Sequence, residues 1–334
     1  MIVGSGIAGS VLAYELEKLG VNYALFTAER NPLFNTSSLS NAHCRVVQPS
    51  NLEEIVKISV ERLGENEEKM RFVYSKSNSV IDIFREIDIK FEPRAFGVIP
   101  VTKKKGGYEL LKMIQPNINN IFTSHKIINF CKVNDQFDVL VDNLGNLTDF
   151  HCDYLVLASG GYSGKFQYTD CFKYKEYNIF DLIMKNGGSI INTSCLFIHP
   201  FGYNKGRKIL TGKEIEQGEF VDYSGEFVFD SEFREIIKRN NYHERFGDLN
   251  NYILKFKKSG RKIYFINPIS RERIEVVQTV HYTAGGIKTD IYGEVDGIKN
   301  LYAIGECQAD GSRNCGRLPW LSIHFIYCIW EISC

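Results

Sequence analysis

The segment Met1–Arg30, MIVGSGIAGSVLAYELEKLGVNYALFTAER, decides the fold. Its first three residues are apolar and predict a short buried strand. A glycine-rich turn follows, and then leucines at helical spacing predict a helix that ends at Gly20. The apolar run Tyr23–Phe26 predicts a second strand. The segment is therefore expected to form a β-α-β unit, which is the usual start of a parallel sheet covered by helices.

The glycines of the turn have the pattern Gly4-x-Gly6-x-x-Gly9, placed after a predicted strand and at the start of a predicted helix. In this position Gly4 permits the sharp turn, Gly6 lets the backbone approach a phosphate, and Gly9 lets helix and strand pack closely. The amides and the dipole of the helix N-terminus attract the pyrophosphate. The pattern predicts a dinucleotide-binding site.

One feature of such sites is missing at the end of the second strand. A dinucleotide site usually has an acidic residue there to hold the ribose hydroxyls, but this strand continues Thr27-Ala28-Glu29. Either Thr27 or Glu29 is expected to take that role.

Further along the chain, several segments show clear periodicity. Residues 52–63 and about 65–87 have helical spacing with charged outer faces, and residues 121–147 alternate as in a small antiparallel meander. The apolar run Tyr154–Ala158 leads into Ser159-Gly160-Gly161 and predicts a buried central strand that ends in a tight turn. The chain is expected to return there to the main sheet.

A change of composition indicates a second domain. Residues 202–279 are rich in charged and aromatic side chains, and a glycine-rich segment follows them. We therefore predict an α/β protein with a discontinuous Rossmann-like domain, residues 1–201 plus 280–334, and an inserted α+β domain, residues 202–279.

Composition excludes several classes of function. Lys plus Arg and Asp plus Glu number 40 each, so the formal net charge is zero and neither nucleic acid nor an anionic membrane surface is an expected partner. The nine cysteines are scattered without a Cys-x-x-Cys pair, which predicts reduced thiols, no metal site and a cytoplasmic protein. No signal peptide is expected at Met1. The apolar run Leu318–Cys334 is short and interrupted by polar residues, so it predicts a buried helix, where the chain is apparently truncated, and not a membrane anchor.

Five segments, in this order, resemble one flavoprotein superfamily. It contains fumarate reductase, the succinate dehydrogenase flavoprotein subunit and L-aspartate oxidase. The segments are Val156–Tyr162 (VLASGGY), Phe197–Pro200 (FIHP), His281–Asp290 (HYTAGGIKTD), Asn300–Cys307 (NLYAIGEC) and Gly316–Leu318 (GRL).

The resemblance implies FAD in extended form, with the ADP half on the first glycine turn and the flavin half near Glu306. It also implies that the inserted domain is a capping domain. FAD is expected to be non-covalent, because Ser38 stands where the respiratory members carry the attaching histidine. The implied cofactor-binding residues are Gly4, Ser5, Gly6, Ala8, Gly9, Thr27, Ser38, Ala42, Ala158, Ser159, Gly160, Gly161, Gly305, Glu306 and Ser322.

The resemblance also implies a catalytic set. In the dicarboxylate enzymes two histidines and two arginines hold the substrate, and His199, His281 and Arg317 match three of these four. The second arginine aligns with Ile215, which can neither donate a proton nor pair with a carboxylate. Lys213 is the nearby alternative cation, although a charged loop residue is usually only solvated.

Other departures affect the expected activity. Two glycines of the family's loop beside the flavin are Cys44 and Arg45 here, and no helical C-terminal domain follows, so no iron–sulfur partner is expected. The predicted function is FAD-dependent hydride transfer to or from a small carboxylate-bearing substrate, as in fumarate reductase or L-aspartate oxidase. The alternatives are a flavin-binding protein that has lost catalysis and a flavin oxidoreductase acting on another kind of substrate.

Overall fold

The computed structural model describes residues 1–309, apart from residues 65, 95–96, 174–177, 229–230, 239–241 and 259 and the side chains of residues 62–63, 94, 238 and 242–245. Two compact units are present. The first comprises Met1–Tyr162, Lys175–Cys195 and Ala284–Cys334, and the second comprises Ser163–Tyr174 and Leu196–Thr283. The C-terminal helix expected from Leu318 onward lies outside the described residues.

The helices and strands are numbered in chain order. The strands are β1 (Ile2–Val3), β2 (Leu25–Phe26), β3 (Phe91–Arg94), β4 (Gly97–Pro100), β5 (Ile121–Phe122), β6 (His125–Val133), β7 (Gln136–Asn143), β8 (Asn146–Cys152), β9 (Leu155–Leu157), β10 (Ile190–Ile191), β11 (Leu196–Tyr203), β12 (Lys208–Ile209), β13 (Glu219–Val221), β14 (Ile263–Ile266), β15 (Arg273–Thr283), β16 (Gly286–Ile287) and β17 (Leu301–Ala303). The helices are α1 (Ile7–Lys18), α2 (Leu52–Leu63), α3 (Glu67–Ser75), α4 (Ser79–Glu86), α5 (Gly106–Ile114), α6 (Ile179–Lys185), α7 (Gly212–Gln217), α8 (Ser231–Lys238) and α9 (Tyr242–Lys257).

The first unit is built on a parallel sheet with the strand order β17-β9-β1-β2-β5. Ile2 of β1 pairs with Leu25 on one side and with Val156 on the other. Strand β9 is fully buried and lies between β17 and β1. The predicted β-α-β opening and the predicted central strand are therefore confirmed.

The helices of the first unit follow the predicted spacing with one difference. Helix α2 has the predicted bounds, but the stretch expected at residues 65–87 consists of two helices, α3 and α4. The Asn66 side chain caps α3 by accepting the Lys69 N–H at 2.8 Å. Residues 76–78 separate the two helices, and the Ser77 Oγ in this break accepts the Val47 N–H at 2.8 Å. The buried Ser77, held by the Val47 main chain, thus lies where one apolar pattern is divided into two helices.

The predicted meander is confirmed with different bounds: it spans residues 125–152, whereas residues 121–122 form β5 of the parallel sheet. Strands β6, β7 and β8 pair in this order as an antiparallel sheet. Asn134 turns β6 into β7 at a φ of 57°, and Gly145 turns β7 into β8 at a φ of 93°. The phenylalanines on the buried side, Phe130 and Phe137, join the core that lies against the parallel sheet.

The second unit has an antiparallel sheet with the order β12-β11-β15-β14-β13. Helices α8 and α9 cover it and share one apolar cluster with the strands. The largest fully buried side chains of this cluster are aromatic, and they include Phe201, Phe246 and Phe265. Among the described helices of both units, none is long and apolar enough to cross a membrane.

An ion pair in the second unit gives its stability a pH dependence. The Arg261 guanidinium pairs with the Asp222 carboxylate, and the N–H and Oγ–H of Ser224 donate to Asp222 Oδ1. These partners, Arg261 first, hold the pKa of Asp222 well below its usual range. A carboxylate with a depressed folded-state pKa contributes stability above its unfolded pKa and loses it as the pH falls through the folded value.

We predict that Asp222→Asn lowers the free energy of unfolding at neutral pH. The difference in free energy of unfolding between wild type and variant should narrow below about pH 4. Below that pH the unfolded wild-type chain binds a proton at Asp222, and the stabilisation by the ion pair is lost. Urea unfolding of both proteins at several pH values measures this. Asp149→Asn, at an exposed strand position, is the control and should change little. An equal destabilisation by Asp222→Asn at pH 3 and pH 7 would contradict the prediction.

Candidate functional site

The parallel sheet of the first unit brings three turns together. Val3 of β1 pairs with Leu157 of β9, and Leu157 also pairs with Ala303 of β17. Because the strands are parallel and in register, the residues that follow them lie at one edge of the sheet. Ligands of open α/β sheets bind at this carboxyl edge.

The glycine turn after β1 is closely packed. Gly4 has a φ of +113°, and a Cβ on it would lie 2.4 Å from Ala158 O, so only glycine fits. A Cβ on Gly9 would lie 1.9 Å from Gly4 O. By contrast, a Cβ on Gly6 would approach only Ser37 Oγ among the described atoms, at 3.2 Å. Gly4 and Gly9 therefore serve the packing of strand and helix, whereas the Ser37 hydroxyl is the only described group that a Cβ on Gly6 would approach.

The N-terminus of α1 has hydrogen-bond donors to offer. The Ile7 N–H donates to Ser37 Oγ at 3.0 Å, and the Ser10 N–H donates to Gly6 O at 2.9 Å. The N–H groups of Ala8 and Gly9 donate to no acceptor within the described part of the chain. Two amide donors at the positive end of a helix dipole, beside a glycine with no side chain, fit a pyrophosphate.

At the end of β2 the two ribose candidates differ in their surroundings. Thr27 is buried, and its Oγ1 lies 3.1 Å from Ser5 Oγ and accepts the Glu29 N–H at 3.4 Å. Ser5 Oγ also donates to Pro32 O at 2.9 Å. Glu29 is only half-buried. The choice between Thr27 and Glu29 stays a prediction.

The turns after β9 and β17 complete the edge. Gly160 has a φ of +79°, and a Cβ there would find no described atom within 4 Å. Gly305 has a φ of +66°, and a Cβ there would lie 2.8 Å from the Ala8 Cβ. Ser159 Oγ lies 3.2 Å from Cys307 Sγ, which joins the two turns. Gly161 and Glu306 are half-buried beside them. Most of the predicted cofactor residues thus meet at one edge, while Ser322 lies outside the described residues.

The loop from Ser38 to Arg45 is buried at several points. Ser38 Oγ donates to Leu33 O at 2.6 Å, and Ala42 has a φ of +53°. Cys44 lies in the apolar core of the first unit, where burial raises the pKa of its thiol far above the usual range. Arg45 is also buried. A thiol this deep in the core stays protonated and is a poor nucleophile.

The predicted catalytic histidines lie on neighbouring strands of the second unit. Phe197 pairs with Tyr282 and Ile198 pairs with Val280, so His281 is the extra residue of a β-bulge in β15. A second irregularity in β11 begins at His199 and includes Pro200, which has no N–H to donate to a ladder. Bulges re-aim side chains and are frequent beside active sites. The sequence analysis did not predict them.

His199 is buried, with 2% of its surface exposed. Its Nδ1 accepts the N–H of Phe201 at 3.2 Å. Its ring meets the Phe246 ring edge to face, with 4.8 Å between the centroids. Both contacts fix the orientation of the imidazole.

His281 has a carboxylate partner that the sequence analysis missed. Its Nδ1 lies 2.7 Å from Asp170 Oδ2. The only sequence signal for Asp170 is its place shortly after the Ser159-Gly160-Gly161 turn. Residues 169 and 280 form a bridge between the loop and β15, and this tertiary contact brings Asp170 to His281.

The position of the missing arginine belongs to the core of the second unit. Ile215 lies in α7, is 2% exposed and packs in the apolar cluster of that unit. Thr211 and Glu214 form a capping box at the start of α7, and Lys213 is exposed. Arg317 lies outside the described residues. Within the described part of the chain, no group of three His, Cys, Asp or Glu side chains is placed to hold a metal ion.

Two family models match the chain. The pyridine nucleotide-disulphide oxidoreductase model matches residues 1–183, which is more than half of the chain, and the FAD binding domain model matches residues 206–319. Among curated proteins, the chain is 27% identical over 346 residues to L-aspartate oxidase from Pyrococcus furiosus, covering 95% of this chain and 73% of the relative. It is 24% identical to L-aspartate oxidase from Clostridium perfringens, covering 95% of this chain and 81% of the relative.

Solved structures share the fold. An E. coli quinol fumarate reductase has a TM-score of 0.81 at 16% identity, covering 99% of this chain and 68% of that one. A 3-ketosteroid delta1-dehydrogenase from Sterolibacterium denitrificans has a TM-score of 0.75 at 9% identity, covering 99% of this chain and 98% of that one. The family expected from the sequence motifs is confirmed, with FAD as its cofactor. The chain belongs to the pyridine nucleotide-disulphide oxidoreductase family and is similar to FAD-dependent L-aspartate oxidases.

Proposed function

We propose that this chain transfers a hydride between FAD and a small carboxylate-bearing substrate, as L-aspartate oxidase or fumarate reductase does. The observation that carries the proposal is the pair of histidines on the bulged neighbouring strands β11 and β15. Each imidazole has its Nδ1 engaged, His199 with a main-chain N–H and His281 with a carboxylate. These contacts fix the orientation of both rings.

We assign the ADP half of FAD to Gly4, Ser5, Gly6, Ala8 and Gly9, with Thr27 or Glu29 at the ribose. The donors of Ala8 and Gly9 and the absence of a side chain at Gly6 support this assignment. The flavin half is assigned to the turns after β9 and β17 and to Ser322. Bound FAD would supply the ring that accepts or gives the hydride.

The substrate assignment rests on the protein's own side chains. His199 and His281 would contact the substrate, and the Arg317 guanidinium offers its carboxylate a planar fork for bidentate binding. Ile215 leaves only one arginine of the family's pair. The six described cysteines are free thiols, which supports our proposal that the enzyme works in the cytoplasm.

The burial of Ile215 favours a second candidate function. Because this side chain packs in the apolar core, nothing at its position can bind a carboxylate or move a proton. A flavin-binding protein without catalysis is therefore the alternative. Anaerobic mixing with L-aspartate, succinate and, after chemical reduction, fumarate separates the two, since only an enzyme changes the flavin absorbance at a catalytic rate.

The first prediction concerns FAD retention. Gly6→Val should give a folded but colourless protein, because the side chain would fill the space of the pyrophosphate. Among the described atoms, its Cβ would come within 4 Å of Ser37 Oγ only. Flavin absorbance per mole of protein measures the FAD content, and circular dichroism measures whether the variant is folded. Gly247→Ala, also open on its Cβ side, is the control and should keep FAD. Stoichiometric FAD in Gly6→Val would refute the assignment.

The second prediction concerns the attachment of FAD. Acid precipitation should release all of the yellow colour, because Ser38 replaces the attaching histidine and the Cys44 thiol is buried and protonated. The measurement compares flavin absorbance in the supernatant and the pellet. Colour that stays with the pellet would show a covalent link.

The third prediction concerns Arg317. Arg317→Lys keeps the charge but loses the fork, and should weaken succinate binding by about tenfold or more, from roughly 1.5 to 3 kcal/mol for a charge-assisted hydrogen bond. The dissociation constant comes from titrating the flavin absorbance with succinate. Arg207→Lys is the control, because Arg207 is exposed. Equal dissociation constants for Arg317→Lys and wild type would remove Arg317 from the substrate site.

A further inference from the structure

The two histidines of the second unit have opposite hydrogen-bonding roles at Nδ1. A main-chain N–H can only donate, so Nδ1 of His199 is an acceptor toward Phe201 and carries no proton in this contact. A neutral His199 therefore has its proton on Nε2. The structure makes this buried ring a hydrogen-bond donor at Nε2.

His281 is arranged in the opposite way. An ionised carboxylate can only accept, so Nδ1 of His281 carries the proton that it shares with Asp170 Oδ2 at 2.7 Å. When the ring is neutral, Nε2 has no proton and is an acceptor. When the ring is charged, the additional proton is on Nε2. Proton exchange at this histidine is thus directed to Nε2.

Neighbouring groups fix the positions of Asp170 and His281. The Cys171 thiol, next to Asp170 in the chain, donates to His281 O at 2.9 Å. The Asp170 side chain is 15% exposed, and its Oδ1 is buried with no hydrogen-bond partner in the described part of the chain. The His281 side chain is 39% exposed, so a small molecule can reach it. The carboxylate is held inside the fold, and the imidazole is accessible.

We propose that Asp170 is a positioning residue that makes His281 the proton acceptor of the site, at Nε2, while His199 acts as a donor. The inference rests on the proposed function. A carboxylate hydrogen-bonded to the far nitrogen fixes the tautomer and orientation of an imidazole and stabilises the imidazolium that forms. The buried Oδ1 of Asp170 has no hydrogen-bond partner in the described part of the chain, which increases this effect.

The proton balance is simple. A substrate that gives up a hydride to FAD also loses a proton from the neighbouring atom. The bond from that atom to hydrogen breaks, its electron pair stays with the substrate, and the proton forms a bond to Nε2 of His281. The pair of His281 and Asp170 changes from a net charge of −1 to zero, so no uncompensated charge develops on the protein.

The first measurement is the tautomer of His281. NMR of the FAD-loaded protein with ¹⁵N-labelled histidine, at about pH 9 where imidazoles are neutral, should show His281 with its proton on Nδ1. His281→Gln identifies the resonance. In Asp170→Asn the proton should shift toward Nε2, because the amide no longer requires a donor at Nδ1. A wild-type His281 with its proton on Nε2 would overturn the proposal whatever the activity.

The second measurement separates rate from binding. Asp170→Asn should slow the anaerobic reduction of bound FAD by L-aspartate by about 10²-fold or more, the usual worth of a general base. The dissociation constant for succinate should change by less than about threefold, because the Arg317 fork assigned to its carboxylate remains. Asp170→Glu should restore part of the rate. A slower rate accompanied by an equal loss of succinate affinity would mean a merely structural role and would overturn the proposal.

The chain offers a matched control. His151 Nδ1 lies 2.7 Å from Asp138 Oδ1 in the meander of the first unit, and both side chains are exposed. Asp138→Asn removes a carboxylate from an imidazole at the same distance and should leave the reduction rate unchanged. If wild type is reduced and Asp170→Asn matches it, only the role of Asp170 is refuted. If wild type neither binds succinate nor is reduced, the proposed function fails, and the proton-acceptor role fails with it.

Discussion

The close approach of Gly4 to the turn after β9 is the contact on which the first unit depends. The backbone of Gly4 lies so near Ala158 O that a Cβ could not be accommodated, and a Cβ on Gly9 would lie nearer still to Gly4 O. This packing sets α1 directly behind the parallel strands and aims its N-terminal amides along the carboxyl edge of the sheet. The turns after β9 and β17 lie next to the start of α1, where Ala158 contacts Gly4 and Gly305 approaches Ala8. A dinucleotide site of this kind is a consequence of strand and helix packing more than of any single binding side chain.

In the second unit, the irregular pairing of β11 with β15 places the candidate histidines, just as the regular parallel pairing places the turns of the first unit. A continuous ladder would place the side chains of β15 alternately on the two faces of the sheet. The extra residue at His281 breaks this alternation, and the proline after His199 prevents regular pairing in β11. Asp170 then orients one imidazole and a main-chain N–H orients the other. Two residues of the same type acquire different chemical roles because their Nδ1 atoms have different partners.

The departures from the family pattern have structural explanations of different strength. Ile215 completes an apolar cluster on a short helix that begins with its own capping box, so the segment is stable without the arginine. Cys44 fills space in the core, where an apolar environment suits a protonated thiol. For the buried Arg45 the structure gives burial but no functional reason. These substitutions are compatible with a stable fold.

The amino-acid sequence alone determined the β-α-β opening, the meander and the buried strand β9, because local periodicity and glycine spacing carry that information. It also identified His199 and His281 through their motifs. Only the tertiary structure decided that one helical pattern is divided at Ser77 and that His281 lies in a bulge paired with Asp170. Asp170 is 111 residues before His281 in the chain. No local pattern reports a contact over that distance, since strand register and loop closure set it, and both depend on the packing of the whole unit.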